Sequence, residues 1–135
     1  MSYFTPKMKI LVVDDFPTMR KIVKTIFSQL GYSNFIEAED GQKGYEALQK
    51  NRDVKFIVSD WNMPNMTGLE FLKTVRSDER FRHLPFMMIT AEAEKENIIE
   101  AVKAGVSNYI VKPFTAQSLK EKISKINENF SKKAS

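Results

Sequence analysis

The sequence predicts an α/β fold in which one doubly wound, five-stranded parallel sheet is flanked by five helices. Two features of the sequence predict this fold, the short apolar segments and the longer periodic segments between them. Apolar segments of about four to six residues alternate along the chain with longer segments whose apolar residues recur every three or four positions, which is typical of βαβ units. Right-handed crossovers then place helices on both faces of a parallel sheet, with ligands bound outside the carboxyl ends of the strands.

The strands are the short apolar segments. The first begins at Lys9 with "KILVV", which has no polar alternation and is therefore typical of a strand buried on both faces. The other four predicted strands, in chain order, are "NFIEAED", "KFIVSD", "LPFMMITA" and "NYIVKP".

The helices are predicted from the 3.6-residue period of the segments between the strands. Four of them span residues 16–30, 41–51, 69–76 and 94–104, and Gly31 and Gly105 end the first and the fourth. The last helix has an apolar stripe at Leu119, Ile123, Ile126 and Phe130. The first seven or so residues and roughly the last five are expected to be loosely held ends.

Length and composition favour a single domain over residues 1–135, and its core is expected in residues 8–130, the part of the chain that the family resemblance described below covers. The chain has no cysteine, no segment resembling a signal peptide and no apolar run of the ~20 residues that crossing a bilayer requires, so we expect a cytoplasmic protein without membrane insertion. The net charge is +4, but lysines and arginines are interleaved with acids, which favours a solvated surface over a nucleic-acid site. Only the end, "NFSKKAS", is typical of a basic tail.

Residues able to carry chemistry lie at the ends of four of the five predicted strands: Asp14 with Asp15, Asp60, Thr90 and Lys112. In a parallel sheet these residues converge at one edge. Two carboxylates ~4 Å apart repel by about 4 kcal/mol at an effective dielectric near 20, more than one lysine can offset among three acids. A hard divalent cation can offset it, and oxygen ligands suit Mg²⁺. The alternatives that Asp14 and Asp15 cap the first helix, or that Thr90 is a helix cap, stay open.

An acid, a bound Mg²⁺, a lysine and a hydroxyl donor are the parts of a phosphoryl-transfer site. Asp60 is the best candidate for the nucleophile because it stands alone at the end of a central strand. Asp14 and Asp15 would then hold the metal. His83, the one histidine, lies in a polar loop and is expected to be solvated, whereas Trp61 is expected to be a partly exposed aromatic near the site.

The segments "LVVDDFPTMRKIV", "VSDWNMPNMTGLEFL", "MITAEAEKENIIEAVKAG" and "YIVKPF" resemble the receiver domain of two-component response regulators, in particular its chemotaxis members. The resemblance covers roughly residues 8–130. It implies a flavodoxin-like strand order of 2-1-3-4-5. It also implies a cis bond between Lys112 and Pro113, which a prolyl bond permits at low cost.

The resemblance further implies that a histidine kinase of the chemotaxis type phosphorylates Asp60 in a Mg²⁺-dependent reaction. The implied metal ligands are Asp15, Asp60, the main-chain carbonyl of Asn62 and, through water, Asp14. Lys112 would pair with the phosphoryl group or with Asp60, and the Thr90 hydroxyl would donate to the acyl phosphate. The protein would be a signalling phosphoacceptor rather than an enzyme, assisting its own phosphorylation and its slow dephosphorylation.

In such proteins, movement of the threonine frees space for an aromatic ring to turn inward, here that of Tyr109. The implied target face lies on the fourth helix, the fifth strand and the last helix, and includes Ala93, Ile98, Tyr109 and Lys122. With no output domain after the last helix, a monomer is expected to signal by docking on a flagellar motor switch protein. A phosphatase is a further candidate partner, and no nucleic acid is expected.

Three rival functions share the expected fold or part of the expected site. A flavodoxin-like carrier needs a phosphate-cradling loop after the first strand, where "DDFPT" would instead repel the FMN phosphate. A haloacid-dehalogenase-like hydrolase needs an acid two residues after its nucleophile, where this chain has Asn62. A phosphorelay intermediate that passes phosphate to another histidine protein shares the whole site, so that alternative stays open. Tyr109 as half-buried core and Lys112 as an ordinary surface lysine are the corresponding structural alternatives.

Overall fold

Five strands alternate with five helices in residues 2–91 and 95–134, which are the residues that this computed structural model describes. The elements are β1 Lys9–Val13, α1 Pro17–Gln29, β2 Asn34–Ala38, α2 Gly41–Lys50, β3 Val54–Asp60, α3 Gly68–Ser77, β4 Phe86–Thr90, α4 Lys95–Lys103, β5 Asn108–Val111 and α5 Ala116–Ala134. Every predicted element is present, and the predicted bounds that fall on described residues agree to within two residues.

The strands form one parallel sheet in the order β2-β1-β3-β4-β5, which confirms the predicted fold class and strand order. The chain leaves β1 outward to β2 and returns to β3 on the other side of β1. The gap between the carboxyl ends of β1 and β3 is therefore the topological switch point, the place where open α/β sheets bind their ligands.

Alternation along the buried strands divides the core between the two faces of the sheet. Ile10 and Val12 of β1 point to the face that α1 and α5 cover, where the rings of Phe27 and Phe56 are fully buried. Leu11 and Val13 point to the opposite face, where α2 and α3 pack. Both faces of β1 are thus buried, which explains why its sequence lacks polar alternation.

The amino end of α3 lies directly against the end of β3 because residue 68 is a glycine. A Cβ at Gly68 would collide with the backbone carbonyl of Asp60, and the Gly68 amide donates to the carbonyl of Trp61 at 2.8 Å. A capping box joins Thr67 and Glu70 at the start of the helix. These contacts fix both ends of the loop that follows Asp60.

The prediction of loosely held ends is wrong for residues 2–7 and for the end of α5. Phe4 is 3% exposed and its ring lies 4.7 Å from that of Phe56, centroid to centroid. The amides of Tyr3 and Phe4 donate to the side chains of Ser131 and Asn127 on α5 at 2.8 and 2.9 Å. The core therefore begins at Phe4 rather than Met8, and α5 continues to Ala134. None of the helices in the described part of the chain combines the length and apolar character needed to cross a bilayer.

Candidate functional site

Three carboxylates converge at the switch point. Asp14 and Asp15 directly follow β1, and Asp60 is the last residue of β3. One oxygen from each carboxylate lies within 4.8 Å of the others, and Asp14 and Asp60 are only 3% and 5% exposed. Residues 45 positions apart are brought together because parallel pairing of β1 with β3 places the ends of the two strands side by side.

Lys112 is the cation nearest to these acids. Its Nζ donates to Asp60 Oδ1 at 3.1 Å and lies 3.7 Å from Asp14 Oδ2. Its amide donates to the carbonyl of Thr90 at 2.7 Å, which ties the end of β5 to that of β4. The Lys112–Pro113 peptide bond is cis, as expected. The alternative of an ordinary surface lysine is therefore wrong.

Burial dominates the electrostatics of the site. Loss of solvent raises the pKa of Asp14 to about 6, and the repulsion of Asp60 and Asp15 adds to it, whereas the Phe16 amide and Lys112 lower it. Burial also raises the pKa of Asp60, against the opposing attraction of Lys112 and a hydrogen bond from the Trp61 amide. One ammonium group thus leaves the buried negative charge undercompensated.

One carboxylate oxygen of this site has no hydrogen-bond partner among the described residues. Asp15 Oδ1 is buried and is the one side-chain oxygen or nitrogen, among those described, that is buried without a hydrogen-bond partner. Leaving such a group unpaired costs roughly 1–3 kcal/mol, and more when it is charged. The neighbouring ligand atoms are also carboxylate oxygens, so this group could hold a hard cation, and Mg²⁺ fits an all-oxygen donor set of this charge.

The alternative that Asp14 and Asp15 cap α1 is not what the structure shows. The N-cap residue of α1 is Phe16, and no side chain caps the helix. Asp14 Oδ1 instead accepts from the Phe16 amide at 2.9 Å, which holds the turn between β1 and α1. Arg20, which the sequence analysis did not single out, donates to the carbonyl of Asp14 and forms an ion pair with Glu37 at 2.9 Å.

A second set of contacts fixes the loop after β3, and sequence reasoning missed it as well. Asp40, 1% exposed, caps α2 by accepting from the Lys43 amide and also accepts from Asn65 Nδ2, both at 2.8 Å. Asn65 has a φ of 66°, a conformation that favours asparagine or glycine. The Gly41 amide donates to the carbonyl of Met66 at 3.1 Å. The "EDG" after β2 signals a helix cap, but nothing in it signals the partner loop.

The remaining residues proposed for the chemistry lie around Asp60. Thr90 is 1% exposed at the end of β4. Trp61 is half-buried, as expected, and its amide donates to Asp60 Oδ1 at 2.9 Å. Asn62 is exposed in the loop after β3. His83, which was not proposed for the chemistry, lies away from Asp60 in the loop before β4 and is exposed, as expected. A capping role of Thr90 depends on residues 92–94, which lie outside the described residues.

The predicted target face is described in part. Tyr109 is half-buried on β5, and the Nζ of Lys122 from α5 lies 5.3 Å from the centroid of its ring. Lys122 also donates to the Asn108 side chain at 3.4 Å. Ile98 is half-buried on α4, while Ala93 lies outside the described residues. Tyr109 and Lys122 are thus brought together where β5 and α5 meet.

This fold, with three acids and a lysine at its switch point, defines a receiver-type signalling domain. The family model for the response regulator receiver domain matches residues 10–124, which is most of the chain. The chain therefore belongs to the response regulator receiver domain family, and the resemblance stated from its motifs is confirmed.

Individual relatives come from chemotaxis. The chain is 58% identical over 121 residues to the chemotaxis protein CheY-3 of Vibrio cholerae, which covers 90% of the chain and 92% of the relative. It is 56% identical over 121 residues to the chemotaxis protein CheY of Pseudomonas aeruginosa, covering 90% and 97%. Among solved structures, the chemotaxis response regulator CheY4 of Vibrio cholerae superposes with a TM-score of 0.81 at 34% identity, covering 89% of this chain and 98% of that one.

Proposed function

We propose that this protein is a chemotaxis response regulator that accepts a phosphoryl group on Asp60 from a phosphohistidine of a cytoplasmic histidine kinase. The observation that carries the proposal is the convergence of Asp14, Asp15 and Asp60 around an unsatisfied carboxylate oxygen, with Lys112 within hydrogen-bond distance of Asp60. The high identity to chemotaxis proteins supports it.

Asp60 is positioned to act as the nucleophile. Its Oδ1 accepts hydrogen bonds from the Trp61 amide and from Lys112, so the carboxylate is held in one orientation. Its other oxygen, Oδ2, would be the attacking atom. Attack forms an O–P bond as the P–N bond to the donor imidazole breaks, and the imidazole leaves with a proton. Positioning, more than covalent chemistry, is the contribution of the protein.

Two positive charges would stabilise the phosphoryl group, one from a bound metal ion and one from the chain itself. Asp15, Asp60 and the Asn62 carbonyl would hold Mg²⁺ directly, and Asp14 would hold it through water. When bound, Mg²⁺ supplies the positive charge that stabilises the equatorial phosphoryl oxygens. Lys112 supplies a second positive charge, since its Nζ already lies between Asp60 and Asp14. Thr90 supplies a hydroxyl donor from the neighbouring strand.

Phosphorylation would change the surface that α4, β5 and α5 form, and this surface would bind the target. Movement of Thr90 toward the phosphoryl group would let the Tyr109 ring turn inward, away from Lys122. The altered surface of α4, β5 and α5, including Ile98 and Ala93, would then dock on a flagellar motor switch protein. Water would hydrolyse the acyl phosphate slowly, and a dedicated phosphatase would accelerate that step.

Labelling by a small phosphodonor tests the proposal. With acetyl phosphate or phosphoramidate and Mg²⁺, we expect one phosphoryl group per chain, detected by intact-protein mass spectrometry. Asp60→Asn should abolish the labelling. The matched control is Asp53→Asn, which removes an exposed acid before β3 and should leave labelling intact. Normal labelling of Asp60→Asn would reject Asp60 as the acceptor.

A further inference from the structure

A pocket of about 410 Å³ lies at the edge of the sheet opposite Asp60. Arg82 and His83 line it from the loop before β4, residues 105–107 from the loop before β5, and Lys133 from the end of α5. Arg76 at the end of α3 completes its wall. Side chains and backbone from four parts of the chain thus converge on one concavity, whose volume is in the range of small-molecule sites.

The charge of this pocket is entirely of one sign. Its lining includes two arginines, one lysine and one histidine, and no carboxylate. None of Arg76, Arg82 and Lys133 forms an ion pair with a carboxylate among the described residues. The sequence segment "SDERFRHLP", which the proposed function does not use, supplies two of these groups.

Arg76 is a fixed, partly buried part of this wall. Its Nε donates to the carbonyl of Gly105 at 2.9 Å, and its Nη1 donates to those of Leu84 and Arg82 at 2.8 and 3.1 Å. Burial lowers the pKa of Arg76, so its positive charge lacks full compensation from solvent. These three acceptors are neutral carbonyls, so they do not offset the positive charge of the guanidinium.

Further donors are available without any rearrangement. Ser107 Oγ accepts from the Phe86 amide at 2.9 Å, which leaves its hydroxyl proton to donate. The Asn129 amide group makes no hydrogen bond within the described residues and lines the same pocket. Guanidinium, imidazole, hydroxyl and amide donors arranged around one concavity match the several acceptor oxygens of a compact anion.

We infer that this pocket binds a small phosphate-bearing anion, with Arg76, Arg82 and Lys133 supplying its countercharge. An extended acidic peptide would need a long, flat basic surface. These basic side chains instead line a compact pocket, which fits a small anion. The site lies at the amino ends of β4 and β5, so its ligand has no contact with Asp60 or Lys112. Binding there is independent of phosphorylation chemistry, and the proposed function stands whether or not this site exists.

Calorimetric titration with inorganic pyrophosphate in EDTA, at constant ionic strength, tests the inference. EDTA removes divalent metal, so the acids at the opposite edge repel the probe rather than bind it. We expect one site per chain and at least tenfold weaker binding by the double variant Arg82→Ala/Lys133→Ala. Both side chains are exposed, so this variant should fold normally. The matched control Lys21→Ala, on an exposed position of α1, should change the affinity less than twofold.

Backbone NMR shifts and two competing ligands complete the test. We expect pyrophosphate to shift the amides of Gly105 and Ser107 most. ATP binding within threefold of pyrophosphate would show that the phosphates alone are recognised, and tighter binding would add a nucleoside contact to the same phosphate site. No saturable binding, an equal loss in Lys21→Ala, or tighter binding of a glutamate-rich peptide than of pyrophosphate would overturn the inference.

Discussion

Replacing Asp14 by asparagine should stabilise the metal-free protein, although it damages the site. Asp14 is almost fully buried, and its pKa of about 6 lies roughly 2 units above the ordinary value of 3.8. Each unit corresponds to about 1.4 kcal/mol, so at neutral pH the buried charge costs up to about 3 kcal/mol of folding free energy.

The expected gain is smaller than that limit. An asparagine at position 14 can keep the bond from the Phe16 amide, but it loses the attraction to Lys112, whose Nζ lies 3.7 Å away. We therefore expect Asp14→Asn to raise the free energy of unfolding by about 1–2 kcal/mol in EDTA at pH 7.5, or the melting temperature by about 4–7 °C. Urea denaturation followed by circular dichroism measures it.

The pH dependence gives a sharper check. The folded pKa of Asp14 is raised, so the folded state binds the proton more tightly than the unfolded state does. The penalty is absent below the unfolded pKa, grows as pH rises from about 4 to about 6, and is complete above that range. The stability difference between Asp14→Asn and the parent should therefore be near zero at pH 4 and largest above pH 6.5.

Saturating Mg²⁺ serves as the control, because metal binding to the folded parent stabilises it and should shrink or reverse the difference. A variant that is less stable than the parent in EDTA at pH 7.5, or a difference that does not change with pH, would refute the reasoning about buried charge.

The remaining predictions concern other parts of the structure. Phe4→Ala should lower the free energy of unfolding, measured by urea denaturation, by about 2–4 kcal/mol because it leaves a cavity in the core. The control Thr5→Ala, at an exposed position, should change the free energy of unfolding little. Equal effects of the two variants would mean that the amino-terminal segment is not packed as described. Mg²⁺ should quench the fluorescence of Trp61, whose amide is bonded to Asp60, and an unchanged emission at saturation would count against that placement. Lys112→Arg should accept phosphate from a small donor yet fail to signal in a swimming assay, because a bulky fork replaces a compact ammonium; normal swimming reversals would make the lysine dispensable.

Much of the fold was predictable because the elements repeat a simple pattern. The strands are short and apolar, the helices have clear apolar stripes, and their alternation is typical of a parallel sheet. The convergence of Asp14, Asp15 and Asp60 followed from the same reasoning, since strand ends share an edge. Lys112 was found because it too ends a strand and precedes a proline.

The contacts that support the site were not predictable in this way. Arg20 reaches the Asp14 carbonyl from a helix, and Asp40 reaches Asn65 across two loops, so neither pair shares a period or a spacing in the sequence. Phe4 was missed for a related reason. A single aromatic residue in a short segment has no periodicity. Whether Phe4 is buried depends on where α5 packs in the folded protein, which the sequence of the short segment does not show.

Anomalous diffraction from a crystal of the protein soaked in Mn²⁺, a hard cation that substitutes for Mg²⁺, tests the central claim most directly. We expect one strong peak at the switch point, within coordination distance of Asp15 and Asp60 and in contact with Asp15 Oδ1, which has no hydrogen-bond partner among the described residues. An absence of density there at saturating Mn²⁺, or a peak that contacts neither Asp15 nor Asp60, would contradict the account.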